Sequence, residues 1–359
     1  MDFTEPGHGD GKRAEPAGRV SSARPPVSLI DVASYLPGEP VGTEYFTQYS
    51  RSDRMAKNVM FRSPKARHHV GRDETSMDMI AKAIEPLVER HGAQAVSGVD
   101  VLLTHTQLPH NPMVGCGPEV ARKLGMRPGS VLDIQTSGCA AFVYMMSLAR
   151  MILQTTDART ALIATVANAA GPGFSRPDTR GLAHAPVPGD GCAVGLLAKS
   201  NVAPILDVEC RTYPEFAGDM EFTTGSDRKW WEPGDSHGGI SFSESKVTKV
   251  LARGNRLVPE VALAVCDRIG VKGRDIDTFV TNQPNRLFLR NWHDALELPA
   301  ERHPDTFDSC GNLFAAGIPV TLDVENQAGR LRNGSIVLMS AFAHAGDFAG
   351  AAAVRWGAS

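Results

Sequence analysis

One unit of sequence occurs twice in this chain, and two copies of one unit must pack around a shared core. In the first half a helix predicted over 76–91 leads into an extended run, VDVLLTHTQ, at 99–107. In the second half an apolar helix predicted over 257–269 leads into IDTFVTNQP at 276–284. Asp100 aligns with Asp277, Thr104 with Thr281 and Gln107 with Pro284, which makes His105 the repeat-mate of Asn282. Both halves continue in the same order. VLDIQTSGCAAFVYMMSLARMIL reads as a strand, a small-residue turn and a helix, and DTFDSCGNLFAAGIPVTLDVEN fits the same pattern. TALIATV and SIVLMSAF follow as buried strands, and GDGCAVGLLA (189–198) and GDFAGAAAVRW (346–356) close each half. The spacing is kept: Cys139 precedes Ile163 by 24 residues and Asn312 precedes Val337 by 25. Short apolar runs alternating with amphipathic stretches indicate an α/β architecture. The expected organisation is a disordered tail over 1–26, rich in Gly, Pro, Ser and charge, then two α/β halves over 27–200 and 201–359.

Composition narrows the function classes. The chain has 359 residues, 42% of them hydrophobic, and a net charge of −3. That balance excludes a strongly basic nucleic-acid footprint. No uncharged apolar run approaches the ~18 residues of a membrane span, and the tail has no apolar signal core. Six cysteines without a CxxC pair make neither a disulfide framework nor a zinc site. The reading is a reduced, cytoplasmic protein with a large core and no metal.

TSGCAAF places Cys139 after an apolar strand and a Thr-Ser-Gly turn, opening a helix to about Leu153. A thiol there meets the positive end of the helix dipole and unpaired N–H groups, which favour the thiolate. The small neighbours Gly138, Ala140 and Ala141 let a carbonyl substrate approach. GDG at 189–191 lacks the spacing of a phosphate-binding loop.

These segments resemble, in order, those of the thiolase superfamily, and within it the chain is most similar to β-ketoacyl-acyl-carrier-protein synthase III. The resemblance runs from about Val27 to Trp356. SLIDVASYLPGEPV is similar to that family's first strand, and ARHHVGRDETSMDMIAKAI to its ERHI…ET segment and first long helix. TSGCAAFVYMMSLA resembles its nucleophile segment, PDTRGLA and PGDGCAVGLL the loop and strand that follow, VTNQPN its histidine motif, and SCGNLFAAGIP its asparagine motif. The resemblance implies a five-layered α/β/α/β/α fold of two duplicated halves, a homodimer, and no permanently bound cofactor. It implies as substrate an acyl-CoA, or the phosphopantetheine arm of an acyl-carrier protein, loading an acyl group onto Cys139 for a second, small-molecule substrate.

Two departures matter. The family's catalytic histidine position holds Asn282, while its asparagine is kept as Asn312. Thiolases proper have asparagine at the first position but histidine at the second. An amide can donate a hydrogen bond but is no base near neutral pH. The family's glycine run after the last buried strand, whose backbone completes the oxyanion hole, is replaced by AFAHAGDFAG with His344 inside it. His344 is therefore the candidate general base, or the residue that orients the acceptor. His105 and His110 are weaker candidates, and His184 and His237 are expected to be solvated. Arg180 matches the family arginine beside the adenine pocket and Asn285 the asparagine near the pantetheine arm. Arg286 is a further cofactor-binding candidate, with Arg62, Arg67 and Arg290 weaker. The expected function is an acyltransferase of the ketoacyl synthase III type in a specialised, polyketide-like pathway. The alternatives are a ketosynthase forming a carbon–carbon bond with Asn282 and Asn312 holding the enolate, and a catalytically silent partner subunit.

Overall fold

The apolar runs form two sheets in a computed structural model that describes residues 24–49, 55–111, 113–220, 222–223, 227–229, 231–234, 239–240 and 242–357. The N-terminal tail up to residue 23, and His237, lie outside the described residues. The first sheet contains β1 (Val27–Tyr35), β2 (Val101–Thr106), β3 (Ser130–Asp133), β4 (Thr160–Ala167) and β5 (Gly191–Lys199) in the order β1-β5-β4-β2-β3. The second contains β6 (Ile205–Thr212), β7 (Thr278–Thr281), β8 (Ile336–Ala343) and β9 (Phe348–Arg355) in the order β6-β9-β8-β7. Four strands of the first sheet match the four of the second. β1/β5 and β6/β9 are antiparallel, as are β4/β5 and β8/β9, whereas β2/β4 and β7/β8 are parallel. The aligned aspartates do the same work: Asp100 accepts the Thr160 N–H at 3.0 Å and Asp277 the Ile336 N–H at 2.8 Å, each at the start of the neighbouring strand.

Alternation along the strands builds five layers, because successive side chains point to opposite faces. Val101, Leu103 and Ile163 of the first sheet and Val280, Val337 and Met339 of the second meet in one central cluster. Two helices fill that layer, α2 (Ala141–Thr155) and α5 (Gly317–Gln327). Leu102 and Leu162 point the other way, onto α1 (Ser76–His91). Phe279 and Leu338 point outward onto α3 (Glu244–Ile269) and α4 (Arg286–Ala295). The layers run α1, first sheet, α2 with α5, second sheet, α3 with α4, as expected of a thiolase-like fold. Among the described residues no helix is long and apolar enough to cross a membrane.

Local signals set the helix ends. Thr75 and Asp78 cap α1 reciprocally, each side chain bonding the other's backbone N–H. Helix α3 begins at Glu244, thirteen residues before the expected 257, because Ser243 caps it at the Lys246 N–H. Its polar first turns still find a partner, since Gly254 lets Phe288 of α4 approach where a Cβ would stand 2.5 Å from the ring.

The second half departs from the pattern at one place. The strand expected in DTFDSCGNL is a short helix, Phe307–Cys310, so β3 has no counterpart. Asp305 accepts the Phe307 N–H and Gln283 accepts the Thr306 N–H, and these bonds turn the chain out of the sheet. Helices α2 and α5 start 176 residues apart, as do β4 and β8. On that offset the counterpart of Cys139 is Ala315, three residues beyond Asn312.

Candidate active site

Strand parity decides what faces the start of α2. His105 continues the inward face of Val101 and Leu103, and Asn282 continues that of Val280. Both therefore project into the central layer, where a tight turn over Gly138–Ala140 presents Cys139 just before α2. The helix proper begins at Ala141, two residues after the sulfur.

Desolvation works against the thiolate that the helix start favours. It pushes the Cys139 thiol up to about 12, its own backbone N–H pulls it down, and nearby Asp347 pushes it up again. Desolvation of the anion outweighs the backbone donors. At neutral pH the sulfur carries its proton, so nucleophilic chemistry there needs a base beside it.

His344 stands in that place. It lies in the β8–β9 turn at φ 49°, a conformation uncommon for a residue with a side chain. Its Nδ1 lies 2.9 and 3.2 Å from the two Asp347 carboxylate oxygens, so Nδ1 is the donor and Nε2 bears the lone pair in the neutral ring. Nε2 reaches the residue preceding Cys139: a Cβ on Gly138 would lie 2.8 Å from it. Gly138 also has φ +41°, so the position demands glycine twice over.

The remaining polar groups line the same cavity, of about 340 Å³. His105 is 3% exposed, its Nδ1 donates to the Ile134 carbonyl at 2.7 Å, and its buried Nε2 has no hydrogen-bond partner. Asn282 donates from Nδ2 to the Phe342 carbonyl at 3.3 Å, leaving Oδ1 buried without a partner. Asn312 accepts the Phe314 N–H at 3.0 Å on its side-chain oxygen, which leaves its NH₂ as a donor on the cavity wall. Its backbone is pinned by exchange with the opposite half: its N–H bonds the Val187 carbonyl at 2.9 Å, and the Gly189 N–H bonds its carbonyl at 3.0 Å. Asp190 of the GDG segment is a bracket: its carboxylate accepts the N–H groups of Val70, Ala170 and Gly171 at 2.7–2.9 Å.

Gln107 and Gln135 also lie on the wall, and most of the remainder is apolar, including Met60, Phe61, Phe174, Phe242, Phe288 and Phe342. His184, expected to be solvated, belongs to this wall instead. Its ring packs edge-on against Phe174 and Phe242 and tilted against Phe61, and burial lowers its pKa to about 4.

The cofactor-binding candidates scatter. Arg180 lies over the Tyr49 ring at 3.6 Å, in a hollow that shares Phe61 with the main cavity. Asn285 is fully buried and caps α4 by accepting the Phe288 N–H, and it is not on the cavity wall. Arg286 is held by Asp305 at 2.6 Å and Asp308 at 2.9 Å. Arg67 is buried over Phe46, Arg62 and Arg290 are exposed, and His110 is exposed away from the cavity. Among the weaker sequence candidates, the cavity adds His105 and His184. The signal for His105 was its repeat relation to Asn282. For His184 the sequence offered none, because its partners come from three separate segments.

Comparisons with known proteins agree with this architecture. Residues 266–356 match the family described as 3-oxoacyl-[acyl-carrier-protein (ACP)] synthase III C terminal. The chain is 27% identical over 332 residues to the β-ketoacyl-[acyl-carrier-protein] synthase III of Alkalilimnicola ehrlichii, covering 91% of this chain and 98% of that protein. It is 23% identical over 317 residues to that of Campylobacter curvus, covering 88% and 92%. Among solved structures, β-ketoacyl-[acyl carrier protein] synthase III of Thermus thermophilus superposes with a TM-score of 0.79 at 24% identity, over 92% of this chain and all of that one. A variant of Xanthomonas campestris OleA superposes with a TM-score of 0.75 at 17% identity, over 93% and 99%.

Proposed function

From a thiolase-like chain of the β-ketoacyl-acyl-carrier-protein synthase III type, we propose an acyltransferase that loads an acyl group onto Cys139 and passes it to a small-molecule acceptor. The donor is an acyl thioester of coenzyme A or of an acyl-carrier protein, and the pathway is a specialised, polyketide-like one. The observation that supports this reading is one cavity where a protonated thiol, a carboxylate-held imidazole and two side-chain amides meet. In loading, His344 Nε2 takes the Cys139 proton as the sulfur bonds to the acyl carbon. The bond from that carbon to the donor sulfur breaks, and the imidazolium returns the proton to the leaving thiolate. Asp347 steadies the imidazolium, and the Asn312 NH₂ is a donor for the developing oxyanion. Sequence reasoning gave His344 the acceptor's proton. Its seat over Gly138, beside Cys139, supports giving it the thiol's.

Intact-protein mass after incubation with a panel of acyl thioesters tests the reading. A stoichiometric adduct mapped to Cys139 is expected, and no adduct from any donor would sink it. Replacing His344 with alanine should slow loading by at least ~100-fold, the low end of what a positioned base contributes. Loading at the wild-type rate would remove His344 from the chemistry. Arg180→Ala should raise KM for acyl-CoA about tenfold, a charge-assisted hydrogen bond contributing roughly 1.5–3 kcal/mol, while a short pantetheine thioester is unaffected. Equal losses with both substrates would instead indicate damage to the site itself.

A second reading, carbon–carbon bond formation, rests on Asn282 and Asn312 both lying on the cavity wall. Rapid release of carbon dioxide from a malonyl thioester, with a β-ketoacyl product, would put it first.

A further inference from the structure

Three imidazoles line this cavity; His184 is packed against Phe61, Phe174 and Phe242, and of the other two loading uses His344. His105 has no part in that step, yet it is the more confined of the two. Its Nδ1 is committed to the Ile134 carbonyl, which fixes the proton there and leaves Nε2 as an acceptor. That nitrogen is buried, lines the cavity and has no partner. A buried polar atom without a hydrogen bond costs stability unless something else fills the role. Gln107, also on the wall, lies close enough to favour the protonated ring slightly without completing a bond. Burial and the neighbouring His344 act against protonation, so the ring stays neutral and its lone pair stays available.

We infer that His105 Nε2 accepts a hydrogen bond from the O–H or N–H of the acyl acceptor and takes its proton during transfer. The inference rests on the acyl-enzyme reading above and narrows its acceptor to a protic group, so that the product is an ester or an amide. A weakly basic neutral imidazole suits a proton already lying along a hydrogen bond, not one on carbon. The surroundings set the rest of the acceptor's character. Phe61, Phe174, Phe242 and Phe342 favour an aromatic or otherwise apolar body carrying one hydroxyl or amine. The step balances. The acceptor's oxygen or nitrogen bonds to the acyl carbon, its proton moves to His105, and the bond to the Cys139 sulfur breaks. The imidazolium proton then passes to the thiolate, whose raised pKa draws it.

The test separates this step from loading. Acyl-enzyme is formed on the wild type and on His105→Gln, and its discharge by 2-phenylethanol and by 2-phenylethylamine is followed by intact mass. Discharge should slow at least 30-fold more than loading does in the variant. Equal slowing of both steps, or discharge at the wild-type rate, overturns the inference. A second arm does not depend on acylation: in ¹⁵N-histidine-labelled protein, the His105 Nε2 resonance should shift on addition of 2-phenylethanol. If the wild type takes no acyl group, the transfer reading fails, and this arm alone decides whether His105 receives a protic ligand. No shift in that case overturns the inference.

Discussion

Cys139→Ala should lower acyl transfer by at least about 10⁴-fold and abolish the acyl adduct, the scale of loss when a catalytic nucleophile is removed. The size follows from the surroundings. Cys139 is the only cysteine on the cavity wall among the described residues, so no second sulfur can replace it. Cys116, Cys192, Cys266 and Cys310 are buried elsewhere, and Cys210 lies on β6. No serine stands in for it either, since Ser137 is buried just behind the turn and is not on the wall. The side chain is small, half-buried and lines the cavity, so its loss removes little packing and the melting temperature should change little. Intact mass and single-turnover kinetics read the outcome, and an adduct that persists in the alanine variant would refute the assignment.

Acid should destabilise the fold, with the loss beginning near pH 6.5. His303 is 5% exposed, with one ring nitrogen on Thr281 Oγ1 at 2.9 Å and the other unpartnered. Burial, and then the neighbouring His293, lower its pKa to about 3. His184 is lowered to about 4. Above pH 6.5 these rings are neutral folded or unfolded and stability is unaffected. As pH falls, the unfolded chain binds protons that the folded one refuses, and the loss grows until the folded pKa values are reached. At pH 5 each ring costs about 2 kcal/mol, at 1.36 kcal/mol per unit. Asp190 works in the opposite direction. Burial raises its pKa to about 6, so below that pH the fold gains about 1.4 kcal/mol from it at pH 5. Urea unfolding at pH 7.5 and pH 5 should show a net loss of at least 2 kcal/mol, and His303→Gln should recover much of it. Stability independent of pH between those values would refute the account.

The sequence exposed the layers better than the cavity. The repeat and most strands were legible because a buried strand needs an apolar run, as in β2, β4, β5, β8 and β9, whereas β6, ILDVECRT, is half-buried and broken by charge and gave no signal. Helix α3 was read short because its first turns, ESKVTKVLARGNR, are mostly polar and are stabilised by a cap and by packing of Gly254 against Phe288. The missing counterpart of β3 was hidden because what turns Thr306 and Phe307 out of the sheet is a pair of side-chain acceptors, Asp305 and Gln283. Cys139 follows from its turn and helix start, and Asn282, Asn312 and His344 from the resemblance, and the four do share one cavity. The desolvation that opposes a Cys139 thiolate has no signature in sequence, where a helix start can be seen and the surroundings of the sulfur cannot. His105 was undervalued for a related reason: every residue of β2 is buried, so alternation of polarity does not tell which face of that strand meets the thiol.

The exchange of main-chain bonds between Val187–Gly189 and Asn312 ties the cavity to the thermodynamics of the whole molecule. A methyl on Gly189 would fall 1.9 Å from the Cys310 carbonyl oxygen, so the two segments meet with no room to spare. The wall that holds Asn312 exists only while both halves are folded and docked. Any occupant of the cavity therefore withdraws population from every state in which either half has come undone. At 100 times its Kd such an occupant adds about 2.7 kcal/mol to the stability of the entire chain, distributed over both copies of the repeat. Binding and global unfolding are in this sense one equilibrium, and thermal shift alone can report which small molecules the cavity accepts.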